Sequence, residues 1–311
     1  MGILFILTIA MKKPDVHLKF SLSGHAAPVY CLEQGSKPET VFSGSADGFV
    51  AEWDVLNGAA EKFSVNVGKP VYSLLHDQEK QVLFIGLGTG DLHIIDLLNK
   101  KEIKHIIHHQ SAIFQILLHN KNNHFYTVSG DGTCCIWDRN DFRLMLNYPI
   151  CTEKIRKMAL SPSGDFLALA CGDGWIRIFE TSFYNLVQEW KAHEMACNSI
   201  CFLDEDTLLS GGKDAYLNYW KRNGSLIRSI PAHNFAIYDI KELTGTAVIA
   251  TASRDKTIKL WSTDTLGILL RIDRKLLDAH KNSVNALHWI PSLNRLISTG
   301  DDRSIKVMEI K

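Results

Sequence analysis

His25, Ser43 and Asp47 supply the three side chains of a Ser/His/Asp nucleophilic site: a hydroxyl to attack, an imidazole to take its proton and a carboxylate to orient the ring. The same kinds of residue return as His109/Thr127/Asp131, His193/Ser210/Asp214 and His233/Thr251/Asp255. A Trp closes each set, at Trp53, Trp137, Trp220 and Trp261, always six residues after the Asp. One chain does not need four copies of an active site, so the recurrence argues for a repeated structural device and against catalysis.

The other candidate sites are weaker. Gly86-Leu-Gly-Thr-Gly90 resembles a phosphate-binding loop, but its third glycine comes one position early and no helix follows. It reads as a hairpin turn. His105, His108 and His109 could suggest metal, yet residues 105 and 108 of one strand face opposite ways, and His109 already belongs to a recurring set. No metal and no cofactor is expected. Asp204-Glu205-Asp206 reads as a solvated turn, and Cys134-Cys135 point to opposite faces of a strand and do not suit a disulfide.

The elements that carry these residues repeat as well. Extending the Trp register gives seven units, with the equivalent position at Trp53, Ile95, Trp137, Phe179, Trp220, Trp261 and Met308, spaced by 42, 42, 42, 41, 41 and 47 residues. Within a unit, apolar and polar residues alternate over runs of four to seven residues, separated by turns such as Asp47-Gly48. Period two between Gly/Asp/Asn turns is the pattern of antiparallel strands joined by hairpins, about four to a unit. At 46% hydrophobic and 22% charged, the 311-residue chain has the balance of a soluble, well-packed protein. Lys and Arg together equal Asp and Glu at 34 each, so the overall basic excess of a nucleic-acid protein is missing. Seven cysteines with no C-x-x-C pair suit a reducing compartment, read as the cytoplasm. Residues 1–11 (MGILFILTIAM) are too short for a membrane span, and Lys12-Lys13 follow the apolar run where a secretory signal needs charge before it. They are read as an N-terminal extension, either upstream of a true start at Met11 or a disordered or surface-docked tail, ahead of a single domain over 12–311.

Together, the period near 42 residues, the Gly-His and Ala-His openings (Gly24-His25, Ala192-His193, Ala232-His233, Ala279-His280) and the Trp-Asp endings (Trp53-Asp54, Trp137-Asp138) resemble the WD-repeat family. The resemblance covers the chain from about Val16 onward. It implies an all-β fold, a seven-bladed β-propeller of four-stranded antiparallel blades, closed by an N-terminal strand completing the last blade. The sequence agrees with that closure: the last unit stops after its third strand, while Val16 to Leu22 alternates like a strand with no unit of its own. The resemblance also implies that each His/Ser or Thr/Asp/Trp set is a hydrogen-bonded structural network. Units two and four depart from it. The second has Val67, Ile85, Thr89 and Ile95 at the four positions, and the fourth keeps only Asp173, beside Cys151, Leu169 and Phe179. The seventh keeps His280, Ser298 and Asp302 with Met308 in place of Trp.

Family members place partner-contacting residues on the narrow top face, three and five residues after the His position and just before the turn Asp. Carried over, the mapping gives three consecutive blades with aromatics, Tyr30, Tyr72 and Phe114, then Lys154, Arg156, Lys213 and Arg254 with Tyr238 among them. Apolar and cationic sectors side by side suit a protein or peptide ligand with a hydrophobic anchor and acidic or phosphorylated neighbours. The reading is therefore a non-catalytic scaffold or adaptor, a monomeric subunit of a larger complex with no membrane role. An RNA- or DNA-associated propeller using the same basic and aromatic face is the alternative, and an enzyme using the central channel ranks last. The link from Ser262 to Ala279 is longer than the others and is read as a tolerated loop rather than a partner-specific feature.

Overall fold

A computed structural model describes residues 13–311, so the expectation for residues 1–11 and the first residue of the expected domain lie outside the described residues. Alternating runs between polar turns become strands. They begin with β1 (Val16–Ser23), followed by β2 (Val29–Gln34), β3 (Thr40–Ser45), β4 (Phe49–Asp54) and β5 (Ala59–Asn66) of the first blade. The second blade holds β6 (Val71–Asp77), β7 (Val82–Leu87), β8 (Asp91–Asp96) and β9 (Lys101–Ile107). The third holds β10 (Ile113–His119), β11 (His124–Ser129), β12 (Thr133–Asp138) and β13 (Leu144–Pro149). The fourth holds β14 (Ile155–Leu160), β15 (Phe166–Cys171), β16 (Trp175–Glu180) and β17 (Leu186–Lys191). The fifth holds β18 (Cys197–Phe202), β19 (Thr207–Gly212), β20 (Tyr216–Lys221) and β21 (Leu226–Pro231). The sixth holds β22 (Ile237–Leu243), β23 (Val248–Ser253), β24 (Ile258–Ser262) and β25 (Ile268–Ile272). The seventh has three strands of its own, β26 (Val284–Ile290), β27 (Arg295–Gly300) and β28 (Ser304–Ile310).

Each group is a four-stranded antiparallel sheet, and the seventh is completed by β1, which pairs with β28 from Val16↔Ile310 to Ser23↔Ser304. The chain is the expected all-β, seven-bladed propeller. Its innermost strands β2, β6, β10, β14, β18, β22 and β26 each pack against the next and β26 packs against β2, so the ring is closed. Burial follows from position. The second strand of the first blade, β3, is covered at every residue, whereas the outermost, β5, alternates exposed and half-buried ones. The apolar core is divided among the seven interfaces between blades; Phe42 and Val50 of the first blade meet Leu83, Ile85 and Ile95 of the second in one such cluster. The long link after the sixth blade holds α1 (Arg274–Leu277), a single turn whose N-terminus is capped by the Asp273 carboxylate.

Candidate interaction site

Four blades contain the complete hydrogen-bonded set. His25 Nδ1 meets Asp47 at 3.0 Å, its Nε2 meets Ser43 Oγ at 2.7 Å, and Trp53 Nε1 donates to the same hydroxyl at 2.7 Å. His109, Thr127, Asp131 and Trp137 repeat the arrangement at 3.1, 2.7 and 2.9 Å. His193, Ser210, Asp214 and Trp220 do so at 3.0, 2.8 and 2.9 Å, and His233, Thr251, Asp255 and Trp261 at 2.9, 2.7 and 2.9 Å. Each hydroxyl sits between an imidazole and an indole and is fully buried. Such a hydroxyl has no path to a substrate, so the geometry of a nucleophile is present without its chemistry. In the seventh blade His280 keeps Asp302 and Ser298, each at 2.9 Å. In the second, Val67, Ile85 and Ile95 join the apolar cluster instead. Asp173 of the fourth blade accepts the backbone N–H of Trp175 at 3.1 Å and also Arg177 Nη2 at 2.8 Å, a partner the sequence reading did not assign.

The top mouth is built by a repeated irregularity of the inner strands. In every blade the pairing of the first two strands slips just after its first residue: between Val29 and Cys31, Val71 and Ser73, Ile113 and Gln115, Ile155 and Lys157, Cys197 and Ser199, Ile237 and Asp239, and Val284 and Ala286. The skipped residue is a β-bulge, which re-aims its side chain. These are Tyr30, Tyr72, Phe114, Arg156, Asn198, Tyr238 and Asn285, and all seven line a central cavity of about 720 Å³. A second regularity ties the other two top-face positions together: the N–H before the turn residue donates to the carbonyl three residues after the His position in each blade, from Ala46 to Pro28 at 2.8 Å and from Lys213 to Ala196 at 2.8 Å, for example.

Tyr30 and Tyr72 stack at 4.8 Å, Tyr72 meets Phe114 edge-on at 5.6 Å, and the Arg156 guanidinium lies 4.9 Å over the Phe114 ring. Four of the eight expected contact residues therefore form one continuous arc. Arg156 is half-buried, and its Nε is buried without a hydrogen-bond partner among the described residues. Burial holds its pKa below the ordinary arginine value, partly offset by Tyr238 and Tyr72. Lys154 on the rim is also pushed down, first by the charge of Arg156, then by burial and by Lys213. Lys154 thus lies close enough to both other cations to be repelled by each, with Glu153 opposing them. Arg254 stands apart, 6.0 Å over the exposed ring of Phe235. Below the mouth, Lys157 pairs with Asp239 at 3.1 Å, and burial pushes Glu33 up to about 7. Nothing in the sequence pattern marks that polar interior. Nor does it mark the buried bidentate pair of Arg139 with Asp77, both bonds at 2.6 Å, which ties the third blade to the second.

A closed ring of seven four-stranded blades with buried His-hydroxyl-Trp relays defines a WD-type propeller. The profile of the WD domain, G-beta repeat, matches residues 17–54, 100–138, 146–180, 184–221, 224–262 and 273–308, and the chain belongs to that family. Most of the second blade lies outside the matched segments, in keeping with its lost network. Members of the family generally serve as non-catalytic scaffolds. Among curated proteins the chain is similar to the kinesin-like protein KIF21B of Homo sapiens, 25% identical over 92% of this chain and 16% of that protein. It is also similar to nuclear distribution protein nudF of Emericella nidulans, 23% identical over 88% of this chain and 67% of the relative. A third relative is eukaryotic translation initiation factor 3 subunit I of Bombyx mori, 27% identical over 62% of this chain and 59% of the relative. The chain spans only 12% and 16% of the length of the first relatives it matches. Among the described residues, no helix is long and apolar enough to cross a membrane.

Proposed function

We propose that the protein is a non-catalytic scaffold of the cytoplasm that binds a protein or peptide at the top mouth of the propeller, within a larger assembly. The observation that carries this reading is the Arg156 guanidinium, half-buried on Phe114 with an unpartnered Nε, flanked by Lys154 and Lys213. Lys154, Arg156 and Lys213 gathered around an unpartnered buried Nε favour an anion even with Glu153 acting on Lys154, and a carboxylate or phosphate can take two bonds from one guanidinium. The Tyr30, Tyr72 and Phe114 arc beside it suits an apolar anchor, and Tyr and Arg are frequent binding hot spots. A relative named as a subunit of an initiation factor supports the assembly part of the proposal. The test is affinity purification from cells with mass spectrometry, wild type against the Arg156→Glu/Lys213→Glu double variant. The variant is expected to lose its principal partners while keeping the wild-type melting temperature. Retention of every partner by a folded double variant overturns the site. A partner that proves to be RNA or DNA, with affinity falling steeply as salt rises, shows the same face serving phosphates.

A further inference from the structure

The second blade has neither the buried His-hydroxyl-Trp relay nor a family match over most of its length, yet its two outer strands hold a polar cluster of their own. His93 on β8 stands directly opposite His105 on the edge strand β9. The two rings stack at 4.2 Å with their planes 10° apart. A carboxylate flanks each imidazole: Glu102 Oε1 lies 2.5 Å from His93 Nδ1, and Asp91 Oδ2 lies 3.9 Å from His105 Nε2. One ligand atom from each of His93, Glu102 and His105 fits within a span of 4.8 Å.

We propose that His93, Glu102 and His105 bind a divalent transition cation of the zinc class, with Asp91 placed to serve as fourth ligand. Two imidazoles and a carboxylate are the donor set such ions select over magnesium or calcium. Bonds of about 2.0–2.1 Å put neighbouring ligand atoms of a tetrahedral site about 3.3 Å apart. Stacked rings direct their in-plane lone pairs along parallel planes, so one ring must turn out of the stack and the donors must shift by about an ångström or two to reach coordinating positions. That adjustment falls to the exposed members, His105 at 40% and Glu102 at 44% side-chain exposure, while His93 at 15% is held in place. The two carboxylates would cancel the charge of the dication. Binding would pin the exposed strand β9 to β8 in the blade that has no internal relay, and the metal would stabilise the fold by binding only its folded form.

The test is calorimetric titration of the full chain with zinc chloride at pH 7.5, with thermal melts in zinc and in EDTA. One equivalent is expected to bind, and zinc well above its dissociation constant to raise Tm by about 3 °C or more. His105→Gln and Glu102→Gln should each weaken zinc binding more than about tenfold and abolish the shift, while leaving the metal-free Tm unchanged. No saturable heat in the wild type, or undiminished binding by both variants, overturns the site; in the second case the zinc sits elsewhere, for instance at His17 with Asp15.

Discussion

Asp255 accepts from His233 Nδ1 at 2.9 Å, from Thr257 Oγ1 at 2.6 Å and from the N–H of Asn234 at 3.0 Å. Burial alone would raise its pKa, but these bonds and the charge of His233 hold it well below the usual carboxylate range, and Asp302 is held low in the same way. A depressed folded-state pKa contributes stability above the unfolded value of about 4 and loses it as pH falls. The histidines act in the same direction. Burial pushes His109 and His233 below their ordinary value, outweighing the nearby Asp in each case, so the neutral ring's contribution is whole above about 6.5 and shrinks below it. Tm should be level near pH 7 to 8, decline gently below about 6.5 and fall steeply below about 4. Asp255→Asn should cost roughly 2 kcal/mol at pH 7, and its gap from wild type should begin to narrow below about pH 4 and close only once the pH falls below the depressed folded-state value. Thermal melts across that range decide it; a gap that stays constant would show that the carboxylate charge contributes nothing. These residues were legible in the sequence because their spacing repeats. The Arg177 donor to Asp173, the Arg139 to Asp77 pair and the approach of His93 to His105 were not, because each depends on one lateral pairing that leaves no periodic trace.

Turn geometry shows at the level of the element how far a repeat can drift. The residue after the turn Asp, or after Thr89 in the second blade, is left-handed in every blade: Gly48, Gly90, Gly132 and Gly174 in the first four, then Ala215, Lys256 and Arg303 with φ of 70°, 72° and 65°. Left-handed backbone costs a residue with a Cβ about 1–2 kcal/mol and costs glycine little. Ala215→Gly and Lys256→Gly are each expected to stabilise the protein by about 0.5–1 kcal/mol once glycine's larger unfolded-state entropy is subtracted. Gly132→Ala should destabilise it by well over 1 kcal/mol, since its Cβ would also lie 2.0 Å from the carbonyl oxygen of Cys151. Urea unfolding of the three variants checks both signs, and a destabilised Ala215→Gly would refute the account. The same comparison explains what the sequence reading of the top face could and could not reach. Counting from the His position found Tyr30, Tyr72, Phe114, Arg156 and Tyr238, but not why they converge. The cause is the bulge after the first residue of every inner strand, and a one-residue slip in pairing is invisible until the partner strand is known.

Across the whole molecule, seven sheets with seven apolar interfaces leave no face of a blade uncovered, and the ring depends on one strand drawn from the opposite end of the chain. β1 buries Val16 and Leu22, with Phe20 and Leu18 partly covered. It also pairs Lys19 with Glu309 at 3.1 Å, and Asp15 exchanges backbone bonds with Lys311 at 3.0 and 2.8 Å. Without it, β28 would become an outer edge, and that strand is covered along most of its length, with Ile305, Val307, Met308 and Ile310 all buried. An apolar strand with unpaired N–H and C=O groups is a template for pairing with other chains. The net charge of zero gives little repulsion between molecules to oppose it. The apolar surface lost with β1 corresponds to about 5 kcal/mol, enough to lower Tm by about 10 °C or more in a domain of this size. Deleting residues 11–22 should therefore lower the melting temperature and bring concentration-dependent aggregation on light scattering. Supplying β1 as a free peptide should restore part of both, because the groove beside β28 would still be there to receive it. An unchanged melt with a monomeric profile would show that the ring holds without its closing strand.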